Sequence, residues 1–242
     1  MYNSKVISTD TIENVKTRVD QSLRNKGLLI DLSTEQCKKF LQRKVNCKTN
    51  VVVMYADING STKMSKDLPS HTLSLMIQIF SQEICLCVIN HGGYILKFVG
   101  DAVIALFPAE FNAKKAISNS LACASDILSI IKDGINPVFQ NNSFPKISLK
   151  IGIEYGEAIV LVYGKNIEFA HIDLLGFSIS IASKITSLAS PGEIIIGENS
   201  YNHLDEDEKK FFADLTDEKE SKWGNVMRYN NDIKYRIFKY LK

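Results

Sequence analysis

Six consecutive residues, Val51-Val52-Val53-Met54-Tyr55-Ala56, run without polar alternation straight into a carboxylate, Asp57. Such a run has the length of a strand covered on both faces, and a strand of that kind lies in the middle of a layered domain. The other apolar segments must supply its neighbours. Residues 94–99 and 102–107 are separated only by Gly100-Asp101, the spacing of a tight hairpin. Residues 147–154 and 158–162, joined near Gly156, read as a further strand pair, and 193–196 and 235–240 as the last two β segments. Helical spacing marks Leu73, Met76, Ile77, Phe80 and Ile84, then Ala116, Leu121, Ala124 and Ile127, and a third helix follows Gly176. A loop containing Pro and Asn is expected up to Pro145, and a solvated charged surface over 205–222. The order β-α-β-β-α-β predicts a ferredoxin-like α+β fold with helices on one face of a mainly antiparallel sheet.

Ahead of that domain, residues 1–46 read as a helical arm, leaving 47–242 as the main domain. Ile12, Val15, Val19 and Leu23 form a helical stripe stopped by Gly27. This stripe could tighten a dimer or pack on its own domain. Ser33 with Gln36 can form a capping box for a short helix carrying Cys37, Phe40 and Leu41.

The balance of 29 Lys and Arg against 27 Asp and Glu gives a net charge of +2, with no global field for gripping nucleic acid. The five cysteines are odd in number, and no pair has zinc-ligand or Cys-x-x-Cys spacing, which fits reduced thiols in a cytoplasmic protein. With no signal pattern and no unbroken apolar run of membrane-spanning length, neither secretion nor a membrane span is expected. His71, His91, His171 and His203 are scattered, and surface or capping roles are expected for them.

Asp57 ends the buried strand and Asp101 sits at the hairpin tip, so strand pairing brings two carboxylates to one sheet edge. Either alone is an ordinary turn aspartate. Together they suit two hard divalent cations, which need carboxylate oxygens and open positions for phosphate oxygens. Asn59-Gly60-Ser61-Thr62 follows directly and can aim backbone N–H groups at a triphosphate, although the same residues also suit a plain helix start.

The motifs then converge on one family. Tyr55-Ala56-Asp57-Ile58-Asn59-Gly60-Ser61-Thr62 resembles the F-A-D-I-x-G-(S/F)-T segment of the class III adenylyl and guanylyl cyclases. Gly92-Gly93-Tyr94-Ile95-Leu96-Lys97-Phe98-Val99-Gly100-Asp101 looks like that family's G-G-x-x-x-K-x-x-G-D hairpin. Gly152-Ile153 with Gly156-Glu157, Asp173-Leu174-Leu175-Gly176, and Pro191-Gly192-Glu193-Ile194 follow in family order, so the resemblance covers about 51–197. It implies that Asp57, Asp101 and the backbone carbonyl of Ile58 hold two Mg²⁺ or Mn²⁺ ions. The ribose 3′-oxygen then attacks the α-phosphorus in line and expels pyrophosphate, with no protein nucleophile.

The resemblance also implies that Lys97 and Asp173 read the base, and a Lys/Asp pair is the adenine-reading form, which favours ATP. The family's transition-state Asn and Arg fall on Ser180 and Lys184. Lysine lacks the bidentate fork with which arginine grips phosphate, and loss of one such donor costs roughly 10²–10³-fold in rate. Arg228 is the substitute for the family's C-terminal phosphate lysine.

Ser180, Lys184 and Tyr55 also fit a pocket rebuilt for CTP or UTP, as in the stand-alone pyrimidine cyclases of bacterial anti-phage signalling. A third reading is a degenerate domain that binds a nucleotide and regulates. The G-G-D/E-E-F signature of diguanylate cyclases is absent from Gly92-Gly93-Tyr94-Ile95. In the family's arrangement one protomer supplies the metal aspartates and its partner the base-reading and transition-state residues, so the expected unit is a homodimer with composite sites.

Overall fold

The apolar run at 51–56 does lie inside the sheet, with a strand on either side. The computed structural model describes residues 9–27, 34–218, 228–230 and 233–241. In chain order it holds helices α1 (Thr9–Asn25) and α2 (Glu35–Gln42), strand β1 (Lys48–Ile58), helices α3 (Ser61–Asp67) and α4 (Ser70–Asn90), and the hairpin β2 (Tyr94–Val99) and β3 (Ala102–Pro108). Helix α5 (Ala113–Ser129), a π-helical turn (Ile130–Ile135) and α6 (Asn136–Asn141) lead to β4 (Leu149–Tyr163), β5 (His171–Leu175), α7 (Phe177–Leu188) and β6 (Ile194–Gly197). The chain closes with α8 (Glu198–Asn202), α9 (Glu206–Lys209), β7 (Phe212–Asp214), β8 (Arg228–Asn230), β9 (Ile233–Lys234) and β10 (Ile237–Tyr240).

The main sheet runs β2-β3-β1-β4-β6-β10-β7, with β5 paired to β4. All its pairings are antiparallel except β4 with β6. Its first four strands are the ferredoxin-like unit, and β1 is hydrogen-bonded on both sides. Val52, Met54, Ala56 and Ile58 enter a core with Phe80 and Ile84 of α4 and Ile117 and Leu121 of α5. Val51 and Val53 point the other way, into a smaller core with Cys37 and Leu41 of α2, Leu174 and Ala182. The long helices α4 and α5 thus share one face, while α2 and α7 cover part of the other.

Helix α1 docks on its own domain: Val15 and Val19 are buried in the main core. A Cβ at Gly134 would come within 2.6 Å of Val15 Cγ1, so the π turn needs glycine to receive this helix. The stripe at 12–23 is therefore used inside the chain. Arg18 reaches from it to the fully buried Glu83, with Nη2 2.6 Å from Oε2. The α2 cap expected at Ser33 lies outside the described residues; the N-cap is Thr34, which makes no side-chain cap bond.

Three expectations change. The loop expected up to Pro145 is helical as far as Asn141, because Ile130, Ile131, Ile135 and Phe139 are buried, and Pro137 follows directly on the π turn, at the start of α6. The strand pair expected around Gly156 is one continuous strand, β4, paired along its length with β1 and then β5. Gly156 breaks nothing; a Cβ there would come within 3.2 Å of Ser178 Cβ, so the glycine lets α7 approach. The charged stretch is not all solvated surface, since β7 joins the sheet and Glu208, Leu215 and Thr216 are buried; residues 219–222 of it lie outside the described part. Helix α4 is long and apolar enough to cross a membrane by length and composition, with mean hydropathy 1.7, but 56% of that window is buried inside the fold.

Replacing Arg18 by Ala leaves the Glu83 carboxylate buried without its cation, which should cost about 3 kcal/mol. Urea unfolding measures this loss, and Arg18→Met combined with Glu83→Leu should recover most of it. A destabilisation below about 1 kcal/mol for Arg18→Ala would reduce the pair to the value of a surface contact.

Candidate active site

Register places the first carboxylate. Asp57 pairs with Ala102 on β3 and with Lys150 on β4, so it stands beside the hairpin tip that carries Asp101. The two carboxyl groups are within hydrogen-bonding reach of each other. Burial first, then the Asp101 charge and contact, push the Asp57 pKa from 3.8 up to about 6, and Lys150 opposes the rise. One oxygen of Asp101, Oδ2, is buried with no protein partner. Lys150 belongs to no motif that sequence reasoning picks out, yet strand parity from Gly152 puts it on this face.

Ile58 ends β1 with its side chain in the opposite core, leaving its main chain beside Asp57. Gly60 takes a left-handed conformation at φ 77° and starts α3. The first intrahelical bonds of α3 come from Lys63 and Met64 to the Gly60 carbonyl, so the N–H groups of Ser61 and Thr62 precede them. Asn59 uses its own N–H on the Ser148 carbonyl.

Lys97 is aimed by a β-bulge. The pairing of β2 with β3 slips between Ile95 and Lys97, so Lys97 faces Ile104 while Ile95 faces Ala105. Ile95 and Lys97, two apart on the strand, therefore do not share a face: Ile95 joins the core under α4 and α5, and Ile104, opposite Lys97, belongs to the other. Lys97 Nζ donates to Asp173 Oδ1 at 2.8 Å and Oδ2 at 2.6 Å. Asp173 lies on β5, an edge strand not expected from the sequence, and His171 Nε2 stands 3.8 Å from its Oδ2.

Two further groups crowd this pair. Tyr55, opposite Ile104 in the register, has its pKa raised by burial and by Asp173, with a hydrogen bond to Ser183 acting against the rise. Cys37 of α2 is pushed up to about 12 by burial and by the same carboxylate. Neither Ser183 nor Cys37 is expected in this site from the sequence. Ser180, Ser183 and Lys184 are all on the exposed side of α7, with Ser180 and Lys184 one turn apart. Helix α7 can lie this close to the sheet because residue 152 is glycine: a Cβ there would run into the Thr186 hydroxyl and come within 2.6 Å of the Ala182 carbonyl. Arg228 begins β8 in a separate two-stranded sheet, and its side chain lies outside the described part.

Residues 44–232 match the family model described as the adenylate and guanylate cyclase catalytic domain. The chain is similar to the soluble guanylate cyclase gcy-31 of Caenorhabditis elegans, 24% identical over 157 residues, covering 65% of this chain and 22% of that one. It is also similar to a cytidylate cyclase of Escherichia coli, 25% identical over 207 residues, covering 76% and 44%. The chain therefore spans less than half the length of either relative. Among solved structures, the adenylyl cyclase CyaB of P. aeruginosa superimposes with a TM-score of 0.67 at 21% identity, over 81% of this chain and 95% of that one; this likeness concerns the fold.

The carboxylate pair carries a testable cost. Because its folded pKa is raised, Asp57 contributes stability that is full below its unfolded value of 3.8 and is lost as pH climbs through about 6. In EDTA, the wild-type melting temperature should fall relative to that of Asp57→Asn across this window, and Mn²⁺ should raise the melting temperature of the wild type far more than that of the variant. Equal Mn²⁺ shifts in both proteins would exclude Asp57 as a metal ligand.

Proposed function

The chain belongs to the adenylate and guanylate cyclase catalytic domain family, and from that premise we propose that it closes a nucleoside triphosphate into a 3′,5′-cyclic monophosphate with release of pyrophosphate. The contact between Asp57 and Asp101 carries this reading. Two like charges are held together at the end of a buried strand, and a buried Asp101 oxygen is left without a protein partner. That donor set fits hard divalent cations, Mg²⁺ or Mn²⁺, held by Asp57, Asp101 and the Ile58 carbonyl. Bound there, they supply the positive charge that acidifies the ribose 3′-hydroxyl and neutralises the phosphates.

The chain's own part is positioning and charge. The N–H groups of Ser61 and Thr62, ahead of the first intrahelical bonds and with Asn59 and Gly60 shaping the turn, receive phosphate oxygens. Ser180 offers a hydroxyl to the ribose and Lys184 a positive charge to the phosphates, with Arg228 a further cation for the terminal phosphate. No protein nucleophile is needed.

Lys97 and Asp173 present one donor and one acceptor side by side. The base edge that matches them carries an amine next to a ring-nitrogen acceptor, which adenine offers, so ATP is the first substrate reading. Cytosine offers the same edge on a smaller ring. Tyr55, beside Asp173 and hydrogen-bonded to Ser183, narrows the pocket and favours that second reading, pyrimidine cyclisation, as does the similarity to a cytidylate cyclase. Purified protein with Mn²⁺ and each of ATP, GTP, CTP and UTP tests both, with cyclic products resolved by chromatography. Turnover of ATP or CTP should dominate, and Lys97→Glu should lower the preferred rate at least about tenfold by repelling Asp173 and unpairing the base. An unchanged rate in that variant would remove Lys97 from the base pocket.

The active unit proposed is a two-fold homodimer with composite sites. Exposed apolar side chains flank both halves: Phe98 and Val99 beside Asp101, and Leu175 and Phe177 beside Asp173. A partner laid over them would bring its Lys97 and Asp173 to the metal aspartates. Mixing inactive Asp57→Ala with inactive Lys97→Ala should regain up to about half the activity of the exchanged fraction, since each heterodimer holds one intact site. Heterodimers demonstrated by mass photometry of differently tagged chains, yet inactive, would mean that each protomer carries a whole site.

A further inference from the structure

On the helix-covered side of the sheet, away from the aspartate pair, the last turn of α4 meets α5 through three soft or borderline donors. Cys87 lies in the last turn of α4 and His91, four residues on, caps its C-terminus on the same side, while Cys123 comes across from α5. Cys87 Sγ lies 3.8 Å from Cys123 Sγ and 3.8 Å from His91 Nδ1, and all three donor atoms fall within 4.8 Å of one another. We propose that Cys87, His91 and Cys123 form a Zn²⁺ site that clamps α4 to α5, separate from the aspartate pair.

The two separations from Cys87 are those of a tetrahedral ion, and the His91–Cys123 separation, within 4.8 Å, would close on binding. With sulfur about 2.3 Å and nitrogen about 2.0–2.1 Å from zinc, neighbouring donors stand about 3.5–3.8 Å apart. Two thiolates select such an ion over Mg²⁺, which prefers oxygen ligands. The imidazole of His91 is held by a carboxylate on its far side, with Nε2 3.1 Å from Asp126 Oδ2, and that is the usual partner of a zinc-binding histidine. Its Nδ1 now donates to the Cys87 carbonyl at 2.9 Å, a proton that metal binding would displace. Cys87 and Cys123 are buried and His91 partly exposed, so access is from the histidine side and the fourth position is left to water. Contacts with Cys123 and His91 lower the Cys87 thiol pKa to about 7, whereas burial raises that of Cys123 and the Asp126 and Cys87 contacts hold His91 up at about 10, so a bound ion would displace protons from both.

The clamp would act on the turn that follows. Gly92-Gly93 leads directly from His91 into β2, and a Cβ at Gly93 would come within 2.8 Å of both Val88 and Phe107, so the turn has little freedom. Fixing His91 therefore fixes the start of the strand that carries Lys97.

The probe is Co²⁺ titrated into full-length protein stripped with EDTA and kept reduced. One equivalent should produce thiolate-to-cobalt charge-transfer absorption, which stoichiometric Zn²⁺ bleaches. Asp57→Asn should keep the signal, separating this site from the aspartate pair. Cys87→Ser and Cys123→Ser should abolish it, and the more exposed Asp126→Asn should weaken Co²⁺ about 10–100-fold without unfolding the chain. Two outcomes overturn the proposal. One is absence of the charge-transfer band in folded protein whose thiols are shown to be free by alkylation. The other is persistence of the band in folded Cys87→Ser/Cys123→Ser protein.

Discussion

The register of β1 against its two neighbours governs the rest of the molecule. Bonded to β3 on one side and β4 on the other, the strand cannot slip by one residue without exchanging its two buried faces. Val52, Met54 and Ala56 would leave the large core beneath α4 and α5, and Asp57 would turn into it. The same register aligns Tyr55, Ile104 and Lys97 across three strands and sets Asp57 beside Ala102, the residue after Asp101. Hydrophobic burial on one face therefore fixes polar geometry on the other.

That division explains where the glycines matter. The sheet face under α4 and α5 is filled with branched aliphatic side chains, whereas α7 approaches the opposite face over Gly152 and Gly156. Close approach by α7 places Ser183 within reach of Tyr55, and thus beside the Lys97–Asp173 pair. Helix α2 completes the enclosure from the other side through Cys37 and the stacked rings of Phe40 and Tyr94, 5.3 Å apart.

Much of this could be read from the chain because it is written in local patterns. The run at 51–56, the Gly100-Asp101 turn and the helix after Gly176 each announce themselves within ten residues, and with them the two aspartates and Lys97. What escaped depends on neighbours distant in sequence. Gly156 has the composition of a turn but serves as a flat place in a continuous strand. The polar residues at 132–142 read as a loop because Ile130, Ile131, Ile135 and Phe139 are spaced for a π turn and a following helix packed under α1. The bulge at Leu96, which decides the face of Lys97, leaves no mark in the periodicity. Cys87 and His91 did carry a signal, their spacing of four on a helix, but its meaning depends on Cys123, which only the packing of α5 supplies.

Three buried or half-buried acids show how the fold treats charge, and the contrast separates structure from chemistry. Glu83 is buried completely and receives the Arg18 guanidinium. Glu154 is also buried completely; one of its oxygens takes the N–H groups of Tyr155 and Ser200, and burial pushes its pKa to about 8. At neutral pH it mostly keeps its proton, so its desolvation is relieved without a cation. Asp57 has neither remedy. Its nearest acidic neighbour repels it, Lys150 offsets this only in part, and a pKa of about 6 leaves it mostly ionised at neutral pH. Protonation near that value relieves the pair only in part at neutral pH, whereas a divalent cation would neutralise both carboxylates. Selection for stability alone would favour an amide or an apolar residue at one of the two positions, as it does wherever a polar group gains nothing from burial. Two carboxylates in contact at the end of a strand bonded on both sides are an arrangement that a bound cation would relieve.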